Sequence, residues 1–179
     1  EEKRIMNMTL NRLPSITWYW LKMNNGSLEG VDPAGEASVR EEIPEQVTAK
    51  TLGLEDLPEQ ATGMGKDMTA LVRASGVPVH GYETAEHRQA DGVLRLDYPF
   101  EHGARSVNAV SLRAAKDSSL TVVQDFSSAS DAEGFAAVQT RYLVEEGAVL
   151  KLIQIERLGN GYTFLNDIGG RVENPGASS

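Results

Sequence analysis

Apolar and polar positions change their rhythm near residue 90. From Gly92 onward, short runs rich in Val, Leu, Ile, Thr and Tyr follow one another: GVLRLDYPF, SVNAVSLRA, SLTVVQDFS, AVQTRYLVE, AVLKLIQIE and YTFLNDIGG. Gly, Ser, Asp and Lys separate them. Alternation such as Leu150-Lys151-Leu152 or Arg95-Leu96-Asp97 puts apolar side chains on one face, and the run lengths suit strands. Before residue 90 the pattern is different. Pro14, Pro33, Pro44, Pro58 and Pro78 punctuate it, and apolar residues come in short bursts at helical spacing.

The first burst, LPSITWYWLKMNNG, predicts a short helix. Thr17 is the expected N-cap, Trp18, Tyr19 and Trp20 fill the first turn, Ile16 and Leu21 form a staple, and Gly26 stops the helix. Two Trp so close suggest either a binding face or an anchor. Anchoring is the favoured reading, because each indole buries a large area. Residues 27–65 read as an irregular acidic surface segment, in which VREEIPEQV and LGLEDLPEQ make single turns. A second helix is expected at Asp67–Ser75, with Asp67 as cap, Met68, Leu71 and Val72 on one face, and Gly76 as stop.

A repeat bears on the architecture. Shifted by thirty positions, Leu112–Val123 lies on Tyr142–Ile153. Leu112 falls on Tyr142, Leu120 on Leu150, Val122 on Leu152 and Val123 on Ile153. The corner Lys116-Asp117-Ser118 falls on Glu146-Gly147-Ala148. A fixed period with a turn at a fixed offset is what a β-solenoid produces, where each coil completes the core of the one before. A β-sandwich of two similar hairpins is the alternative. Asn-Gly hairpin signals occur only at Asn25-Gly26 and Asn160-Gly161, which favours the solenoid.

Composition narrows the function. The chain has 179 residues, a formal net charge of −9 and no cysteine. Disulfides, thiolate catalysis and Cys-held zinc or iron–sulfur clusters are excluded for this stretch. The negative charge argues against nucleic acid as a partner, since phosphate binding is driven by Lys and Arg. No apolar run of about 20 residues predicts a membrane span. The start, EEKRIMNMTLNRL, does not read as a signal peptide, and Met6 or Met8 is a candidate native start. The expected compartment is the cytoplasm.

Candidate chemistry is sparse. His80, His87 and His102 lack the spacing of metal ligands; His87 with Glu83 is the pair to test. Ser127, Ser128 and Ser130 near Asp125 and Asp131 read as turn chemistry, without a nucleophile elbow. Gly63-Met64-Gly65-Lys66-Asp67 lacks the spacing of a phosphate loop. The acid pairs Glu41/Glu42, Glu55/Asp56 and Glu145/Glu146 are adjacent, so on strands they point to opposite faces and do not converge on a glycosidic bond. No catalytic, cofactor-binding or metal residue is assigned.

The stretch LNRLPSITWYWLKMN, the proline-rich region after it and the segment Tyr142–Gln154 (YLVEEGAVLKLIQ) together resemble the SufB/SufD family of iron–sulfur cluster assembly scaffolds. The similarity runs from about Leu10 to Glu173. It implies a right-handed parallel β-helix behind a small helical and irregular N-terminal region. The expected divisions are 1–90 for that region, 91–174 for the β-helix coils and 175–179 for a disordered tail. It also implies a non-enzymatic scaffold, SufD-like in lacking Cys, acting with a SufB-like scaffold and a SufC-like ATPase. The cluster-building residues of the family lie in later parts that this segment does not contain, so none is carried over. A truncated SufB-like chain stays open. Two alternatives stand beside this one: a carbohydrate-binding or carbohydrate-active β-solenoid, and an oligomerisation module forming a homodimer through β-helix edges.

Overall fold

The computed structural model describes residues 5–12, 25–32, 34–57 and 60–173. The helix expected around Thr17, with Trp18 and Trp20, and the tail at 175–179 lie outside them.

Nearly all of the second half is strand. The six predicted runs form β6 (Gln89–Pro99), β7 (Arg105–Ala114), β8 (Ser119–Ser127), β9 (Glu133–Val144), β10 (Val149–Arg157) and β11 (Gly161–Val172). Ahead of them come β1 (Met6–Leu10), β2 (Gly26–Val31), β3 (Arg40–Glu42), β4 (Val47–Leu52), the helix α1 (Lys66–Ser75) and β5 (Val79–Thr84). One sheet has the order β10-β8-β6-β3 and the other β11-β9-β7-β5-β4. Along β6-β8-β10 and β5-β7-β9-β11 every pairing is parallel. Successive strands alternate between the two sheets, so the chain winds as a two-sheet β-solenoid of about three turns. Hairpins of a sandwich would pair antiparallel.

The thirty-residue repeat is the rung-to-rung step. Leu112 is the Cα partner of Tyr142, and Leu120, Val122 and Val123 are those of Leu150, Leu152 and Ile153. The corner between sheets repeats with the same period. His87, Asp117 and Gly147 all hold left-handed backbone, at φ 57°, 54° and 71°. Asp, His and Gly are among the residues that tolerate this region best. The corners stack through backbone bonds from His87 N to Lys116 O (2.9 Å) and from Asp117 N to Glu146 O (3.0 Å).

Two apolar cores result. The inner one lies between the sheets and includes Leu94, Leu96, Leu112, Leu120, Val122 and Phe126. A second, not foreseen in the sequence, covers the outside of the five-stranded sheet. There Met68, Leu71 and Val72 of α1, with Met8 and Leu10 of β1, pack on Val107, Ala109, Phe135, Ala137 and Leu165. All three α1 residues are fully buried. Their burial contributes about 1.5–3 kcal/mol each, which docks a helix too short to stand alone.

Several expectations need correction. Residues 27–65 contain β3, β4 and most of β2, so this segment is partly strand. β3 and β4 add antiparallel to β6 and β5 and cover the first edge of each sheet. The parallel ladder begins at Val79, ahead of residue 91. α1 starts at Lys66 with Gly65 at its N-cap, so Asp67 is not the cap. Its Oδ2 instead accepts a hydrogen bond from Thr9 N at 2.8 Å and ties β1 to the helix. Among the described residues no helix is long and apolar enough to cross a membrane.

Candidate functional site

β10 and β11 lie at the far edge of their sheets, each with a ladder partner on one side only among the described residues. Alternation along β10 turns Leu150, Leu152 and Gln154 inward and Val149, Lys151, Ile153 and Ile155 outward. The inward set is only half-buried, whereas Leu120, Val122 and Gln124 one rung earlier are covered. Outward, Val149 and Ile153 are each 49% exposed. Tyr162 and Phe164 of β11 are likewise inward and half-buried. This end of the solenoid therefore presents two strand edges and an open apolar core. Such edges are templates for further strands.

An amide ladder crosses the core at the same end. Gln154 Nε2 donates to Gln124 Oε1 at 2.7 Å and to Asn166 Oδ1 at 3.2 Å. Asn166 Nδ2 returns a bond to Gln154 Oε1 at 2.9 Å, joining β10 to β11. Deeper in, Gln124 Nε2 donates to Thr140 Oγ1 at 3.1 Å, joining β8 to β9. Gln124 and Thr140 are buried whereas Gln154 and Asn166 are half-buried, and paired amides at these positions fix register because a slipped strand would leave them unpaired.

The candidate residues go to separate places. Glu83 pairs with Lys50 at 2.6 Å and Arg113 at 3.5 Å, whereas His87 faces Asp117 at 3.4 Å, so the proposed metal pair has divergent partners. His80 pairs with Glu36, and His102 approaches Glu133 at 4.0 Å. No group of three or more His, Cys, Asp or Glu placed to hold a metal occurs among the described residues. Ser128 Oγ donates to Ala129 O at 3.2 Å and accepts from Gly159 N at 2.8 Å, a corner bond. Ser130 and Asp131 are exposed. Asp125 faces outward, held by Arg95 (3.0 Å) and Arg157 (2.9 Å). In the glycine–lysine loop, Gly63 N donates to Ile168 O and Met64 N to Asp167 Oδ1, so these amides are spent within the fold.

The acid pairs separate. Glu145 takes Arg113 Nη2 at 2.6 Å and Lys116 N at 2.9 Å, while Glu146 takes Lys116 Nζ at 3.1 Å. Asp56 Oδ2 accepts from Gly53 N at 2.8 Å. Glu42 is exposed on β3, and Glu41 accepts from the buried Tyr82 hydroxyl at 2.7 Å. Burial, reinforced by that carboxylate, pushes the Tyr82 phenol well above its usual pKa. Burial does the same to Tyr98. Tyr98, Phe100, Phe126, Tyr162 and Phe164 pack ring on ring, with centroids 4.9–6.4 Å apart, inside the solenoid. Those rings hold the core together, and Phe100 also lines the cleft at the corner between β6 and β7.

Of the clefts that indent the surface of the described residues, three adjoin the groups above. One of about 230 Å3 lies on the outer face of the five-stranded sheet, beside Lys50, Arg113 and Tyr142. A neighbouring one of about 680 Å3 runs along α1 past Lys66, Thr69 and Arg73. The third, of about 690 Å3, opens at the corner where β6 turns into β7. Comparison with family models, curated proteins and solved structures finds no match for this chain.

Proposed function

We propose that the chain is a non-enzymatic scaffold segment of the SufB/SufD kind, SufD-like, that works by offering a β-solenoid surface to a SufB-like scaffold and a SufC-like ATPase. The observation that carries this reading is the parallel solenoid itself, with its thirty-residue rungs. That is the architecture implied by the resemblance of the Leu10–Asn24 stretch and of Tyr142–Gln154. The cluster would be substrate built elsewhere in the assembly, in keeping with a stretch that has no Cys. The compartment proposed with it is the cytoplasm.

The test is co-purification. The parent chain, tagged and expressed in its own cells, is isolated without oxygen. Recovery of a SufB-like scaffold and a SufC-like ATPase in stoichiometric amounts is expected. Recovery of neither contradicts the proposal.

A second reading, self-association through β10 and β11, is favoured by their open edges and half-buried inward residues. Sedimentation at high concentration distinguishes it: a dimer supports it and a clean monomer removes it.

A further inference from the structure

The corner that joins β10 to β11 carries a reactive dipeptide. Asn160-Gly161 is one of two Asn-Gly pairs in the chain. No hairpin uses it, because β10 and β11 belong to different sheets. The corner is short: residues 158–160 make it, against 128–132 in the rung before. It closes as a turn, with Tyr162 N donating to Gly159 O at 3.0 Å. Asn160 is exposed at its tip, and its side chain makes no hydrogen bond among the described residues. Other asparagines are held by the fold. Asn108 donates to Ala37 O and accepts from Ala37 N, and Asn166 donates to Gln154 and Glu156.

The glycines on either side of Asn160 seat this corner on the one below. A Cβ on Gly159 would fall 2.5 Å from the carbonyl oxygens of Ala129 and Ala132, and one on Gly161 would fall 2.8 Å from Glu133 Cβ. The main chain therefore has no room to lengthen there, while the Asn160 side chain stands in solvent.

An asparagine amide is open to attack by the backbone nitrogen of the next residue. A Cβ on that residue crowds the approach, and glycine has none. Gly161 N bonds to Asn160 Cγ, and the amide group leaves as ammonia with the Gly161 N–H proton. The cyclic imide that remains takes up one water. Opening at Cγ gives aspartate. Opening at the main-chain carbonyl gives isoaspartate, in which the chain runs on through the former side chain and is a methylene longer.

We propose that Asn160 is a site of spontaneous deamidation, with water as the co-reactant, and that isoaspartate formed there unseats the start of β11. The lengthened main chain does not fit the packed corner. The new carboxylate also stands beside Glu133, which is itself acidic and exposed. Asn25-Gly26 shares the dipeptide but opens β2, which pairs with β1 in a separate sheet. Its conversion leaves β11 untouched.

Ageing of the purified, folded chain at mildly alkaline pH tests the proposal, followed by peptide mapping and ion-exchange separation of the more acidic forms. Asn160 is expected to convert at least about tenfold faster than Asn108, whose amide must first be freed from Ala37. Asn160→Gln is expected to abolish the product at this position. In the isolated isoaspartate form, the β9-facing amides of Gly161–Val172 should lose exchange protection. Asn160→Asp, which has the charge but an ordinary main chain, should lose much less. The proposal is overturned if Asn160 keeps its amide as long as Asn108 does. It is equally overturned if the isoaspartate form protects β11 as the parent does, or if Asn160→Asp loosens β11 as much.

Discussion

Leu120 and Leu150 are the same residue at the same register, one rung apart. Leu120 is 1% exposed between two neighbouring rungs, whereas Leu150 is half-buried on the edge rung. Truncation of each to Ala therefore measures how much covering the next rung supplies. Leu→Ala removes three carbons, worth about 0.8 kcal/mol each, or roughly 2.4 kcal/mol on full burial. The cavity left behind brings Leu120→Ala to about 3–5 kcal/mol. Leu150 already exposes part of its side chain and its surroundings can close, so Leu150→Ala should cost about 1–1.5 kcal/mol. Ile153→Ala, on the outward face at 49% exposure, should stay below about 1 kcal/mol. Urea unfolding at low protein concentration gives all three from shifts in midpoint at constant slope. Equal losses at Leu120 and Leu150 in a monomeric sample would refute the reasoning, because the edge rung would then be as covered as an internal one. In a complex that covers the edge, the cost of Leu150→Ala should rise toward that of Leu120→Ala.

Three further outcomes follow from the same geometry. Gln154→Leu takes the donor from Gln124 Oε1 and Asn166 Oδ1 and should cost about 1–3 kcal/mol, and adding Asn166→Leu should recover only the part due to Asn166, since Gln124 Oε1 keeps just a 3.4 Å contact from Thr140; thermal melts of the two variants decide. Gly147→Ala puts a Cβ at φ 71° and against Asp117 Oδ1, so about 1–2 kcal/mol should be lost, read as a lower Tm, while Ala148→Gly beside it should lose less. Tyr82 and Tyr98 keep their protons in the fold to higher pH than in the unfolded chain, where the phenol pKa is near 10. Their contribution is full below pH 10 and is lost as pH rises above it, by about 1.4 kcal/mol per pH unit for each phenol. Stability measured from pH 9 to 11.5 should fall less steeply in Tyr82→Phe and Tyr98→Phe, and an unchanged slope would contradict the burial of these hydroxyls as neutral groups.

The solenoid was legible because its physics repeats. Leu120, Val122 and Val123 recur at the spacing that a rung imposes, and Asp117 and Gly147 recur where the corner needs left-handed backbone. One residue past the aligned window the same shift places Gln124 on Gln154, so the amide ladder was within reach of the repeat. The outer core was not. Val107, Ala109, Phe135 and Ala137 lie on the face that simple alternation assigns to solvent, and it takes α1, β1 and β2 to bury it. In consequence β9 is covered on both faces from Phe135 to Arg141 and shows no clean alternation. Asp67 has the letters of a cap, but Gly65 took that position and the carboxylate went to a strand far away in sequence. Of the adjacent acids only Glu41/Glu42 lie on a strand; Glu55/Asp56 sit in a single 3-10 turn and Glu145/Glu146 in a corner, so pleating does not govern those two pairs.

We propose that the solenoid surface offered to a SufB-like scaffold includes the open edges of β10 and β11. Amide hydrogen exchange of these strands, in the free chain and in the recovered complex, tests that docking most directly. Free, the edge-facing amides of Val149–Arg157 and Gly161–Val172 should exchange quickly while those of β8 and β9 are protected. In the complex they should become protected. Failure to recover a complex, or a complex in which these amides exchange as they do in the free chain, would contradict it.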